Sequence, residues 1–339
     1  MGVDISALIH GVPVRLQDLA GKAVAVDAFN TLYQFLTSIR QPDGTPLKDR
    51  DGRVTSHLSG MFNRNVALLE LGVRLVYIFD GTPPQLKEKT IESRRAARAE
   101  AEREWKEAVA AGDMKRALQK ASQSTRLDGS MIAEAQELLD ALGIPWVAAP
   151  SEGEAQMAFM ARRGDVWAGA SQDFDSLLFG TPTLVRNLTL SRKRRSVGGK
   201  KVDVTPEIVE LGKTLSSLGM TREQLVDMAI LIGTDFNDGV AGIGPKRALK
   251  LLSEHGSLEA ISAGGKVEVP PEYEEVRKIF LEPETTEQYS LSWSDPNDDA
   301  VVRLLCDDHG FSVDRVGSVL KRIPKGHDSS PQSSLDRWG

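Results

Sequence analysis

Three short apolar runs in this chain each lead into a carboxylate. Ala23-Val24-Ala25-Val26 ends in Asp27, and Arg74-Leu75-Val76-Tyr77-Ile78-Phe79 ends in Asp80. Val166-Trp167-Ala168-Gly169-Ala170 leads on to Asp173 and Asp175. Apolar runs this short, bounded by polar residues, predict buried strands. Stretches with helical spacing lie between them, Ser56 to Leu71 and Ser130 to Leu142 among others. Alternating strands and helices predict an α/β fold, a mainly parallel central sheet covered by helices on both faces. Ligand sites in such sheets form at the carboxyl ends of the strands. The acid-tipped ends are therefore expected to meet in one site.

Further acids join this set. Glu152 and Glu154 flank a glycine ahead of a helical stretch, and Asp235 follows the amphipathic segment Thr221 to Ile232. Any one of these acids alone reads as a cap or turn residue. Packed together, Asp27, Asp80, Glu152, Glu154, Asp173, Asp175 and Asp235 would repel, and some would stay protonated, unless cations joined them. Oxygen ligands without a His/Cys cluster favour Mg²⁺ or Mn²⁺ over Zn²⁺. Two such ions, roughly 4 Å apart, could activate water and stabilise the leaving oxygen in phosphodiester hydrolysis.

The formal net charge of −6 argues against a general polyanion binder, but the charge is unevenly spread. From Leu86 to Leu127 eleven Lys or Arg stand against seven acids. This segment, broken once at Ala111-Gly112-Asp113, predicts two polar helices standing away from the core. A second basic cluster, Arg192 to Arg195 with Lys200 and Lys201, sits in a short Gly-containing turn. Local basic surfaces on an acidic body suit a reader of phosphate backbone. Solvated helix faces and one exposed hairpin are the plainer alternative.

Gly242-Ile243-Gly244 runs into Pro245, Lys246 and Arg247, a glycine turn opening a helix with Pro near its start. Glycines let a phosphate approach the N–H groups of such a helix N-terminus. The segment reads as a helix-hairpin-helix that holds DNA without reading its sequence. A plain helix–helix turn is the alternative.

A single cysteine, Cys306, excludes an internal disulfide and a thiolate metal cluster. No apolar run approaches the roughly 20 residues of a membrane span. The start, MGVDISALIHG, lacks the basic and apolar regions of a secretory signal. A cytoplasmic protein with no membrane partner is expected.

The stretches VAVDAFNTLYQFL, VYIFDGTPPQLK, APSEGEAQ, SQDFDSLLFG, LIGTDFNDGVAGIGPKRAL and LCDDHGFSVDRV occur together and in order. In that combination the chain, from Met1 to about Lys321, resembles the flap endonucleases of the XPG family in their archaeal form. The resemblance implies a PIN-like 5′-nuclease fold with a helical arch. It implies a structure-specific nuclease that removes single-stranded 5′ flaps, with 5′ exonuclease activity, in replication and repair.

The same resemblance implies two Mg²⁺ ions, with Mn²⁺ as a substitute. Asp27, Asp80, Glu152 and Glu154 match one ion's share, and Asp173, Asp175 and Asp235 the other's, some through water. Lys87 and Arg94 resemble the family's basic pair at the arch base, which steadies the scissile phosphate. Tyr33 matches an aromatic that stacks a base near the cut. Gly2 resembles the exposed amino terminus beside the site, once Met1 is removed. Arg40 and Arg64 are expected on duplex backbone, with Gly242, Gly244, Lys246 and Arg247 gripping it further along.

One nuclease domain is expected over residues 1–325, acting as a monomer. It comprises an N-terminal region 1–98, an arch near 86–127 and an internal region near 116–258. Residues 326–339 read as a flexible tail. Its QSSLDRWG resembles the binding box for the sliding clamp PCNA, with Gln332, Leu335 and Trp338 as anchors. The family box ends in two aromatics; here Gly339 takes the last position, and a weakened clamp contact is expected.

Rival readings make different demands. A non-catalytic junction-binding scaffold would lack at least one of the seven acids, yet all are present. A bubble-cutting repair nuclease of the same superfamily would carry a long insertion where this chain has only the segment 86–127. A phosphatase for small substrates would leave the arch and the glycine turn without purpose.

Overall fold

The computed structural model describes residues 2–326 except 42, 191–192, 196–200, 266 and 325. The expected clamp anchors Gln332, Leu335 and Trp338 lie outside the described residues, as do Arg192 and Lys200 of the second basic cluster.

The acid-tipped runs form strands at the centre of the molecule. In chain order the strands are β1 (Val12–Pro13), β2 (Ala23–Asp27), β3 (Arg74–Phe79), β4 (Trp146–Ala148), β5 (Ala168–Ala170), β6 (Thr183–Arg186), β7 (Lys193–Arg195), β8 (Lys201–Asp203) and β9 (Glu207–Glu210). Seven of them build one sheet in the order β1-β9-β6-β5-β2-β3-β4. From β6 to β4 every neighbouring pair is parallel, while β9 and β1 run antiparallel at the edge. The sheet is mainly parallel, as expected. β7 and β8 form a separate antiparallel hairpin at the second basic cluster.

Period-2 alternation sorts the strand side chains onto two faces. Val24 and Val26 of β2, with Leu75, Tyr77 and Phe79 of β3, join the core built with α1 (Ala28–Ser38), α2 (Ser56–Leu69) and, beyond α3 (Glu88–Ala110) and α4 (Met114–Gln123), α5 (Gly129–Ala141). Ala23, Ala25, Val76 and Ile78 face the other way, against Met157 and Met160 of α6 (Gly153–Arg163). Small alanines on that face let α6 lie close to the sheet.

A third core gathers the rest. It joins Leu177 and Leu178 of the short α7 (Asp175–Leu178) to α8 (Leu211–Leu218), α9 (Arg222–Ile232), α10 (Pro245–His255), α11 (Leu258–Ala263) and α12 (Tyr273–Leu281). Phe280 is fully buried here and meets the rings of Phe179 at 4.9 Å and Phe236 at 5.3 Å. This packing fixes the two segments that carry Asp175 and Asp235. α13 (Asp298–Val302) and α14 (Val313–Leu320) return to the first core through Val301, Val316 and Leu320.

The polar segment forms α3 (Glu88–Ala110) and α4 (Met114–Gln123), joined at Gly112, whose φ of +73° suits glycine. The buried alanines of this pair join none of the three cores. Ala101, Ala108, Ala117 and Ala121 are buried, and a Cβ built on Gly44 would lie 3.0 Å from Ala121 and 3.3 Å from the Leu118 backbone. Small residues let the two helices close on each other and α4 close on the 40–46 loop. The cost of that approach is offset by alanine packing, which a charge census of the segment does not register.

Candidate active site

Each acid is delivered by an element end. Asp27 closes β2 and caps α1, its Oδ1 accepting the Asn30 backbone N–H at 2.9 Å. Asp80 follows β3 and accepts the Gly153 N–H at 2.8 Å, in the first turn of α6. A Cβ on Gly153 would lie 2.5 Å from Asp80 Oδ1. The glycine between the two glutamates thus lets a helix N-terminus close on a carboxylate, where its dipole favours negative charge. Glu154 accepts the Ser176 hydroxyl at 2.8 Å, and Asp175 accepts the Val3 N–H at 2.7 Å. A Cβ on Gly2 would run into the Asp175 carboxylate, so the chain start packs there only as glycine.

Two cations complete the site. Lys87 Nζ lies 2.5 Å from Glu152 Oε2 and 4.0 Å from Asp235 Oδ2. Arg94, on α3, donates to Asp235 Oδ1 at 2.6 Å. All seven acids, with Gly2, Tyr33, Arg64, Lys87 and Arg94, line one cleft of about 1910 Å³ beneath α3. The Arg98 guanidinium sits over the Tyr33 ring at 5.0 Å.

Burial dominates the electrostatics. It pushes the Asp27 carboxyl up to about 8, with the Asp80 and Asp173 charges adding, against the Asn30 and Ser171 hydrogen bonds. Burial likewise pushes Asp175 up to about 7 and Glu154 well above the usual range, and neighbouring acids add to both. Asp80 and Glu152 are raised by burial too, opposed by the charge of Lys87. The Lys87 ammonium is raised despite its burial, because Glu152, Asp80 and Asp235 favour its charged form.

The remaining expected residues lie apart from the acids. Arg64 donates its Nε to the Leu188 carbonyl at 2.9 Å from the cleft wall. Arg40 does not line the cleft. It donates to the Gly44 carbonyl at 2.7 Å and to Thr125 Oγ1 at 2.5 Å, tying the 40–46 loop to the end of α4. Gly242 has φ of +76°, Gly244 caps α10, and Arg247 donates back to the Gly242 carbonyl at 3.3 Å. Buried Ile243 anchors this turn while Lys246 and Arg247 stay exposed.

Comparison with known proteins bears on what such a cleft does. Residues 3–101 match the XPG N-terminal domain and residues 143–235 the XPG I-region. The chain is 49% identical to Flap endonuclease 1 of Hyperthermus butylicus, over 100% of this chain and 99% of that one. Against Flap endonuclease 1 of Pyrococcus abyssi it is 48% identical, over 100% and 98%. This chain belongs to the flap endonucleases of the XPG family. The flap endonuclease-1 structure from Methanococcus jannaschii, 41% identical, covers 95% of this chain and 98% of its own at a TM-score of 0.75. The catalytic core of Rad2 in complex with DNA substrate has a TM-score of 0.72 at 25% identity, covering 93% of this chain and 96% of that one.

XPG-family flap endonucleases are metal-dependent nucleases, and the donor set here fits hard divalent cations. It is oxygen-only and crowded, and burial with the neighbouring acid charges raises its carboxyls, the condition that bound cations relieve. Among the described residues no three His, Cys, Asp or Glu side chains already converge as a closed ligand set. Lys87 holds Glu152 and Arg94 holds Asp235 in ion pairs at the arch base.

Five residues touching the acids, Val3, Asn30, Ser171, Ser176 and Gly153, are not singled out from the sequence. Asn30 was the most accessible, three positions after an acid that caps a helix. The other contacts cross between elements and leave no local signal.

Proposed function

We propose that this flap endonuclease is a 5′ nuclease that cuts DNA flaps near the single-strand/double-strand junction, using two Mg²⁺ ions or Mn²⁺ in their place. The reading is carried by one observation: seven acids drawn from distant parts of the chain line a single cleft under a helix that brings Lys87 and Arg94 into contact with them. The cations supply Lewis acidity, activating water and stabilising the leaving oxygen. Asp27, Asp80, Glu152 and Glu154 hold one, and Asp173, Asp175 and Asp235 the other, some through water.

The chain's own groups do the rest. Lys87 and Arg94 exchange their carboxylates for the oxygens of the scissile phosphate, where developing charge strengthens the contact. Tyr33 stacks an unpaired base once Arg98 swings off its ring. Gly2, packed against Asp175, presents the amino terminus beside the site once Met1 is removed. Gly242, Gly244, Lys246 and Arg247 hold the duplex backbone away from the cut, and Arg40 and Arg64 add backbone contacts. The domain, residues 1–325, works as a cytoplasmic monomer in replication and repair, and the tail engages PCNA through Gln332, Leu335 and Trp338.

Cleavage of end-labelled flap, nicked and bubble substrates in Mg²⁺ tests this reading; the expected cut lies at the flap junction, with the bubble a poor substrate. Asp175→Ala should lower flap cleavage by about 10²-fold or more while flap binding survives. Full cleavage by that variant at saturating Mg²⁺ would overturn the ligand assignment.

A further inference from the structure

Asp27 and Asp173 come from strands far apart in sequence, yet a closed ring of four hydrogen bonds links them. Asp27 Oδ1 accepts the Asn30 backbone N–H at 2.9 Å. The Asn30 side-chain amide then donates across 143 positions to Asp173 Oδ2 at 3.1 Å. The Asp173 backbone N–H donates to Ser171 Oγ at 3.2 Å, and the Ser171 hydroxyl donates to Asp27 Oδ2 at 3.3 Å. Neither linking side chain carries charge, so the ring orders two acids without neutralising either. Each carboxylate oxygen retains a lone pair beyond the one its donor occupies.

The residue types follow from the task. Only a group that donates and accepts at once can stand between a backbone N–H and a carboxylate, and the Ser171 hydroxyl does both. The linking atom of Asn30 must be the amide nitrogen, because Asp173 Oδ2 can only accept when ionised. Ser171 is buried, so no water competes easily for its place. Sheet order makes the ring possible, since β2 and β5 are hydrogen-bonded neighbours.

We propose that Asn30 and Ser171 are positioning residues that set the separation of Asp27 and Asp173, and through them the spacing of the two divalent cations. The proposal rests on the two-cation reading above, in which these two acids serve different ions. Hydrogen-bonded partners of ligating groups commonly shift metal affinity by about 10- to 100-fold when removed. A residue needed only for folding would leave the relation between the ions unchanged.

The test uses the full-length protein with Mn²⁺ and the nicked product duplex. Calorimetry counts the ions and their affinities, and electron paramagnetic resonance reads the magnetic coupling between them. The parent should bind two coupled Mn²⁺ ions. Asn30→Ala and Ser171→Ala should still bind two, with the weaker site loosened about 10- to 100-fold and the coupling changed. Single-turnover cleavage in Mg²⁺ should fall with flap affinity unchanged, and Ser171→Thr, which keeps the hydroxyl, should restore parent behaviour. If Ser171→Ala fails to fold, Asn30→Ala carries the test, because its side chain is partly exposed. Variants with parent affinities and parent coupling would overturn the positioning role and leave the two-cation reading intact. A parent that binds a single ion would overturn both.

Discussion

Burial makes the acids of this site titrate in unusual ranges, and stability inherits that behaviour. Asp27 has an ordinary value of 3.8 and is pushed to about 8 in the fold, so between those values the folded chain keeps a proton that the unfolded chain releases. Its contribution is complete below 3.8 and is lost as pH rises through 8. In metal-free buffer, Asp27→Asn should therefore gain thermal stability relative to the parent as pH rises from about 5 to 8. Mg²⁺ added at the high end should raise the parent's Tm and narrow the gap. A Tm difference that ignores pH would show that Asp27 does not carry this proton. Lys87 and Arg94 call for a kinetic test. Replacing either by Ala should lower the single-turnover rate by about 10²-fold, with a smaller change in flap affinity. Lost affinity with an unchanged saturated rate would make them phosphate anchors only.

Among the elements, α3 and α10 do different work. α3 roofs the cleft, and two of its basic side chains reach acids beyond it, Lys89 to Asp238 and Arg94 to Asp235. α10 instead presents an exposed N-terminus behind a glycine turn. A Cβ on Gly242 meets only Arg247 Nη1, at 3.9 Å, so Gly242→Val acts through its φ of +76° rather than by crowding. A β-branched residue resists that conformation, and the turn should deform. Fluorescence anisotropy should show duplex binding weakened alike on all sequences, while the parent's affinity falls steeply with salt. A sequence-selective defect, or a flat salt dependence in the parent, would contradict a backbone grip at α10.

At the scale of the whole molecule, strand order decides where the site can be. The chain passes from β2 outward to β3 and β4, then returns to β5 on the other side of β2. The crevice therefore opens between β2 and β5, at the switch point where such sheets bind ligands. Asp27 stands on one side of it, and Asp173 and Asp175 on the other. The proposed clamp contact of the tail belongs to this scale, since it would tether the nuclease to a partner. Leu335 and Trp338 follow Gln332 by three and six residues, the spacing of apolar anchors in a groove-binding peptide. Trp338→Ala should cost roughly 2 kcal/mol or more of PCNA affinity, and Gly339→Phe should raise it. Flap cleavage without the clamp should be equal in all three proteins. Calorimetry giving equal clamp affinity for parent and Trp338→Ala would remove the clamp-box reading.

Local pattern alone determined much of this protein. β2 and β3 begin and end where the apolar runs do, and the helix expected from Thr221 forms at Arg222 with Thr221 as its cap. The acids at strand ends were legible because burial and periodicity are written residue by residue. Pairing is not. Nothing in Ala168-Gly169-Ala170 specifies β2 rather than β4 as its neighbour, so the site's place at the switch point is a tertiary fact. The same holds for the arch, whose charges predict solvent on all sides while its alanines pack its two helices together and against the 40–46 loop. It holds most for the donors: Asn30 finds Asp173, Ser176 finds Glu154 and Lys87 finds Glu152 only after the sheet and its helices have packed. Chain composition supplies the charges, but the energy of a buried carboxylate depends on neighbours that only folding brings within reach.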